Sequence, residues 1–311
     1  MASSAAQFGI CSAGAAQTVP ETKAMKILDP RDDLARPFFA YGLLKPGEPA
    51  FALVKPFAAR QESAEVRGTL RLRDGIPLLD PDTSGRVTGW LLWFDPARIS
   101  MAWSVVCSFE PPAQYKWSVT QAHSGEQEIT ANVLVGKKLH TGTAPETVQL
   151  WSARHDPVFH EGLAEVRRLV AEAAPDGVGS QPDTPELWQM FFRLQSAYLL
   201  LWSIVERLTA FRFGPGLDPW PRIVRLSQDA TFREAVVAGG AKPDVVIDAR
   251  DPETRYRLAA DGTGAAKYFY QVRSNLSHRG KSAFKDAQLI YKSVTELEAA
   301  MRILLDRELL P

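Results

Sequence analysis

The run Phe38-Phe39-Ala40-Tyr41-Gly42-Leu43-Leu44-Lys45-Pro46-Gly47 carries a hydrophobic stretch straight into a turn. Gly42 has no Cβ, so main-chain N–H groups beside it can approach a ligand. Amides presented in this way bind carboxylates or phosphates. A second chemical feature lies far along the chain. Between Lys267 and Lys292, the cations Lys267, Arg273, Arg279, Lys281, Lys285 and Lys292 stand against the single acid Asp286. A phosphate backbone could use that surplus, and a solvated helix face is the commoner origin of a basic run. Inside it lies Arg273-Ser274-Asn275-Leu276-Ser277-His278-Arg279-Gly280-Lys281. His155 and His160 are five apart and share no helical face for a metal. The chain has no phosphate-binding Gly-Lys loop, no dinucleotide fingerprint and no Gly-x-Ser-x-Gly elbow, so neither a metal nor a cofactor is expected.

The elements that must position these groups change character midway. Phe38 to Tyr41 reads as a short buried strand, followed by strands at Ala64 to Arg73, Ile76 to Leu79 and Gly85 to Phe94. After a helix from Pro96 to Phe109 come strands at Tyr115 to Ala122 and Glu128 to Val135. Glu110 stands at the end of that helix. Past Pro157 the spacing turns helical: a helix from Val158 to Ala174, a linker from Ala174 to Asp183, and a long helix opened by Thr184-Pro185-Glu186. Leu187, Phe191, Leu194, Tyr198, Leu201, Val205 and Leu208 form its apolar stripe, widened by Phe192, Leu199 and Trp202. Phe213-Gly214-Pro215-Gly216 stops it. A helix burying Ala265, Phe269, Val272 and Leu276 precedes His278, and a closing helix carries Ile290, Val294, Leu297, Met301 and Leu304.

Composition sets the frame. A chain of 311 residues with 45% hydrophobic content and formal net charge zero fits two globular domains without an overall field toward nucleic acid. No apolar run is long enough to cross a bilayer, so no membrane partner is expected. Residues 1–30 read as a disordered tail without a secretion signal. Cys11 and Cys107 make neither a metal spacing nor a disulfide frame, which fits a reducing cytoplasm.

Over residues 36–140 the chain resembles the gamma-glutamylcyclotransferase-like (AIG2-like) family. The carrying residues are Tyr41-Gly42-Leu43-Leu44, Val66-Arg67-Gly68-Thr69-Leu70, Pro77-Leu78-Leu79, Val87-Thr88-Gly89-Trp90, and Glu110 with Tyr115. Leu43 stands where the family has Ser or Thr, and Pro111-Pro112 follows Glu110 where a Gly is usual. The resemblance implies a β-barrel and a reaction without metal or cofactor. In it, Glu110 takes a proton from a substrate α-amine, which attacks its own γ-carbonyl to give 5-oxoproline, while Tyr41, Gly42, Leu43, Leu44 and Tyr115 bind the substrate. Such a base needs a raised pKa, expected here from the apolar setting of Trp103, Val105, Val106 and Phe109. A helix-end surface carboxylate is the plain alternative.

Residues 184–310 resemble the HEPN family, particularly its Apea-like branch. The resemblance rests on the long Leu-rich helix with Glu206 near its end, on Arg273-Ser274-Asn275-Leu276 with His278-Arg279-Gly280-Lys281, and on the closing amphipathic helix. It implies a metal-independent ribonuclease site at Arg273 and His278, shared across a homodimer, with Asn275, Arg279 and Lys281 aiding RNA binding. On an unbroken helix Arg273 and His278 stand roughly 140° apart. Either the helix ends around Ser277, or each side chain meets a partner from a second subunit. An inactive scaffold is the alternative.

The expected fold class is therefore α+β: a tail over 1–30, a cyclotransferase-like barrel domain over 31–150, a helix and linker over 151–183, and an all-helical HEPN domain over 184–311. The leading functional expectation is a cytoplasmic ribonuclease effector of the toxin or phage-defence kind, joined to a domain that senses or processes a γ-glutamyl-like group. The alternatives are a cyclotransferase whose helices only dimerise it, and a non-catalytic binding protein.

Overall fold

The computed structural model describes residue 28 and residues 33–145, 149–173, 184–279 and 286–309, with the backbone alone at 145, 278 and 279. The expected tail apart from Leu28, the linker from Ala174 to Asp183, and Lys281 and Lys285 lie outside the described residues. The chain runs through β1 (Phe38–Ala40), α1 (Phe51–Val54), β2 (Ala58–Arg67), β3 (Thr69–Arg73), β4 (Ile76–Asp80), β5 (Arg86–Phe94) and α2 (Ile99–Phe109). It continues with β6 (Tyr115–Ser124), β7 (Gln127–Gly136), β8 (Ala144–Pro145), α3 (Pro157–Glu172), α4 (Pro185–Phe213), α5 (Pro219–Gln228) and α6 (Ala230–Ala238). A hairpin of β9 (Asp244–Ile247) and β10 (Arg255–Leu258) precedes α7 (Ala265–Arg279) and α8 (Ala287–Leu309). The fold is α+β.

The sheet closes as a five-stranded barrel in the order β1-β5-β2-β6-β7, with β1 parallel to β7 at the seam and antiparallel to β5. Closure leaves no free sheet edge, and β1, buried along its whole length, becomes the wall from which the Gly42 turn projects. The single strand expected from Ala64 to Arg73 is two strands in two sheets. The chain turns at Gly68, whose φ of +141° suits only glycine, and β3 leaves the barrel to pair with β4 and β8. Tyr41 lies outside β1, in the turn itself. Trp103 of α2 stands edge-on to Phe38, Phe94 and Trp117, and this aromatic cluster anchors the helix on β1, β5 and β6.

In the second half, α3 packs along α4. Phe159 meets Phe211 edge to face at 5.7 Å, and Asp156, the N-cap of α3, accepts from Arg207 Nε and a terminal guanidinium nitrogen at 2.8 and 2.6 Å. The α4 stripe is core at Phe191, Leu194, Tyr198, Leu201, Val205 and Leu208. Trp202 is buried with them, whereas Phe192 and Leu199 stay exposed. The capping Thr184 accepts from the N–H of Leu187, as the Thr-Pro-Glu opening of the helix predicts. Among the described residues, no helix is long and apolar enough to cross a membrane.

Candidate active site

The turn after β1 is built like a bracket. Lys45 N–H donates to Gly42 O at 3.2 Å. The Lys45 ammonium pairs with Glu48 at 2.6 Å, both side chains almost wholly buried. The second carboxylate oxygen of Glu48 accepts from the N–H of Ala153 at 3.0 Å, and Lys45 lies 5.5 Å from the Trp151 ring. A buried pair of this kind is costly to break one-sidedly, so it holds the turn to the segment that leads into α3. A Cβ on Gly42 would stand 3.3 Å from Pro77 Cγ, so the close approach predicted for this residue is toward β4. Among the described residues, the N–H groups of Gly42, Leu43 and Leu44 have no hydrogen-bond acceptor. These residues line a small cavity with Tyr41, Glu110, Tyr115, Leu134 and Pro215. Donors left unpaired beside a cavity are the feature a binding site retains and a structural turn does not.

Glu110 enters from the opposite side. It is the C-cap of α2, its N–H donating to Val106 O at 3.2 Å, and its extended φ, ψ of −89°, 124° turn the chain away from the helix axis. Desolvation pushes its carboxyl up to about 8. The apolar setting differs from the one predicted. Trp103 packs on Phe38, Phe94 and Trp117, and neither it nor Val105 lines the cavity. The walls around Glu110 are instead Tyr41, Tyr115, Leu134, Ile76, Pro77 and Pro215.

Both phenols are structural fasteners. Tyr41 donates to Leu134 O at 2.7 Å and accepts from Leu79 N–H at 3.1 Å, and Tyr115 donates to Pro77 O at 3.0 Å. Burial raises both phenol pKa values, so they remain neutral and clamp β4 over the cavity. Pro215 was not visible as a site residue in the sequence. The Gly-Pro-Gly run reads locally as a helix stop, and only the tertiary fold brings it to the barrel.

The other predicted cluster is arranged differently. Arg273 lies on α7 with a guanidinium nitrogen 3.9 Å from Glu206. The Glu206 carboxylate already accepts from Trp202 Nε1 at 2.8 Å. Asn275 is engaged at both ends of its amide: its Oδ1 accepts from Ala249 N–H and Gln271 Nε2 at 3.0 and 2.8 Å, and its Nδ2 donates to Ile247 O at 2.9 Å. It pins the β9–β10 hairpin to α7. The helix does not end at Ser277 but runs unbroken to Arg279, so the backbone positions of Arg273 and His278 lie on different faces of α7. The side chains of His278 and Arg279, and all of Lys281, lie outside the described residues. Among the described residues, no group of three His, Cys, Asp or Glu side chains could hold a metal ion.

No protein-family model matches this chain, and no curated protein is similar to it. A protein from Arabidopsis thaliana with a solution structure is similar at 17% identity over 51% of this chain and 95% of its own, with a TM-score of 0.28. A likeness of that size carries nothing about fold or function.

Proposed function

We propose that the barrel is a cyclotransferase of the gamma-glutamylcyclotransferase-like kind, acting on γ-glutamyl amides at the Glu110 cavity. One observation carries the reading: a carboxyl pushed up to about 8 shares a cavity with three backbone N–H groups that have no acceptor. The amides of Gly42, Leu43 and Leu44 take the substrate α-carboxylate, which places the α-amine toward Glu110. Ionised Glu110 removes a proton from the α-ammonium, and the freed nitrogen attacks the γ-carbonyl carbon of the same molecule. A carbon–nitrogen bond closes the five-membered ring, the bond to the amide nitrogen breaks, and the two protons shed by the attacking nitrogen pass in turn through Glu110 to the leaving amine, which departs in its ammonium form. The products are 5-oxoproline and a free amine, and Glu110 returns to its starting state. Holding the two reacting ends together supplies much of the rate in an intramolecular reaction, and a base with a pKa near the working pH supplies the proton transfer. Leu43, in place of a hydroxyl residue, contributes its backbone only.

The test is turnover of a γ-glutamyl amide by full-length protein. Wild type releases 5-oxoproline, and Glu110→Gln binds the same compound without releasing it. A wild-type protein that neither binds nor converts any γ-glutamyl amide contradicts the reading.

A second reading, a HEPN ribonuclease in a cytoplasmic effector of the defence type, is favoured by one observation on α4. Along it the exposed Phe192 stacks on the half-buried Trp188 at 5.9 Å, Leu199 is exposed further on, and Glu206 lies beside Arg273. Two copies joined along that helix bring two Arg273 side chains near one seam, as a shared site requires when one helix cannot present Arg273 and His278 together. RNA is the partner of that site. The reading expects cleavage of single-stranded RNA in the presence of a chelator, lost in both Arg273→Ala and His278→Ala, by a dimer in light scattering. A monomer at micromolar concentration removes it.

A further inference from the structure

The cavity beside Glu110 encloses only about 20 Å³, room for about one water molecule. Outside it lies an open vestibule of about 560 Å³, whose walls include Ser108, Pro112, Lys137 and Gly216. Glu110 lines both spaces and therefore stands at the neck between them. Pro215 walls the inner space and Gly216 the outer one, and both come from the loop that follows α4, not from the barrel.

That loop sits directly on the backbone ahead of Glu110. Gly214 has φ +107°, and a Cβ there would lie 3.4 Å from Phe109 Cδ2 and 3.5 Å from Phe109 O. The other walls are fastened: β1 and β7 are barrel strands, and the two tyrosines clamp β4 by hydrogen bonds. The 214–216 loop is fastened only to its own half, through Gly214 N–H to Ala210 O at 3.0 Å and Leu217 N–H to Gly214 O at 3.3 Å. Among the described residues, none of its polar groups bonds to the barrel. A γ-glutamyl group is several times larger than a water molecule. The wall that must give way to admit one is the wall held by packing alone.

We propose that Pro215 is the movable wall of the Glu110 site, so that the helical half determines which ligands reach a carboxylate on the barrel. The inference rests on the Glu110 cavity being the reacting site. With Pro215 seated the inner cavity admits about one water molecule, and with the loop lifted the cavity and vestibule become one space wide enough for a γ-glutamyl amide. Gly214 is the hinge, because its backbone conformation is closed to other residues. A shift at the α4–α5 corner therefore changes access to Glu110 without touching the barrel.

The experiment reads access rather than turnover, so it stands apart from the cyclotransferase reading. Full-length protein is treated at pH 6 with a water-soluble carbodiimide and glycine ethyl ester, and amidation of Glu110 is followed by peptide mass spectrometry in wild type, Pro215→Ala and Gly214→Val. Asp156, held by Arg207 away from the cavity, is the internal control. If the open form is a minor state of about 1–10%, both variants amidate Glu110 on the order of tenfold faster or more, while Asp156 keeps its rate. Equal Glu110 rates in wild type and a folded variant overturn the proposal, as does a rise at Glu110 matched by the same rise at Asp156. If one variant fails to fold, the other decides. 5-Oxoproline release measured on the same samples reports the chemistry separately, since a protein with no turnover can still show the change in labelling.

Discussion

The Glu110 cavity and the Arg273 cluster are both polar groups placed against hydrophobic surroundings, yet their hydrogen-bonding capacity is used in opposite ways. In the barrel, three N–H groups and a carboxyl face a small cavity, and the two tyrosines beside them bond backbone atoms of the cavity wall. On α7, Asn275 has its acceptor and its donor engaged in holding a hairpin, and Glu206 is engaged with Trp202 and close to Arg273. Sequence motifs made the second region look the more telling of the two, because Arg and His are chemically conspicuous. The fold adds the unpaired amides beside the barrel cavity, while the side chains of His278 and Arg279 and all of Lys281 lie outside the described residues. What distinguishes a poised site from a structural cluster is the polar capacity left without a partner, and backbone amides do not show in a motif.

Breaking the proposed site itself has the largest expected effect. Glu110→Gln removes the proton carrier, and release of 5-oxoproline falls by about 10²–10⁴-fold, with binding of the γ-glutamyl amide retained by equilibrium dialysis. Tyr41→Phe comes next. It leaves Leu134 O and Leu79 N–H without their partner in a buried setting, which costs about 1–3 kcal/mol in chemical denaturation and raises KM as β4 loosens. Asn275→Ala sharpens the contrast from the other side. It frees Ala249 N–H and Ile247 O and costs about 1–3 kcal/mol of stability. Turnover at Glu110 is unchanged, because the hairpin does not reach the barrel cavity.

Taken per pH unit, the pH effect is the smallest. The folded-state pKa of Glu110 lies above the ordinary value of 4.5, at about 8. Between those values the folded protein keeps a proton that the unfolded chain has released, so this group contributes stability at low pH and loses it as pH rises toward 8. The slope from one such group is at most about 1.4 kcal/mol per pH unit. Glu308, raised to about 7 by burial, adds a slope of the same sign. The difference between wild type and Glu110→Gln in denaturation midpoints from pH 5 to 8 isolates the Glu110 share, and the variant has the shallower fall.

Much of the barrel was legible in the alternation of its strands. Tyr115 to Ala122 and Glu128 to Val135 fall inside β6 and β7, and Pro96 to Phe109 covers α2 with the short turn of helix before it. The first half of β2 was not legible, because Arg60, Gln61 and Glu62 are polar on both faces of the strand. Hydrogen bonds to β5 hold that segment extended, and no apolar alternation marks it. The helices α5 and α6 and the β9–β10 hairpin are short and pack on α4, α7 and α8; α5 does carry a clear amphipathic period, which the reading of the sequence passed over. At the site, Glu110, Tyr41 and Tyr115 could be found from their order along the chain. Pro215 could not, since nothing in a Gly-Pro-Gly turn says which distant surface it will close.

The most direct test of the account is a titration of the Glu110 side-chain carboxyl by carbon-13 NMR in full-length protein, assigned by comparison with Glu110→Gln. The expected midpoint is about 8, and adding a γ-glutamyl amide moves it, because the ligand's α-ammonium stands against the carboxylate and favours its charged form. A midpoint near the ordinary 4.5, unmoved by ligand, would mean that Glu110 is a solvated helix-end carboxylate and that the cavity is not a site of proton transfer.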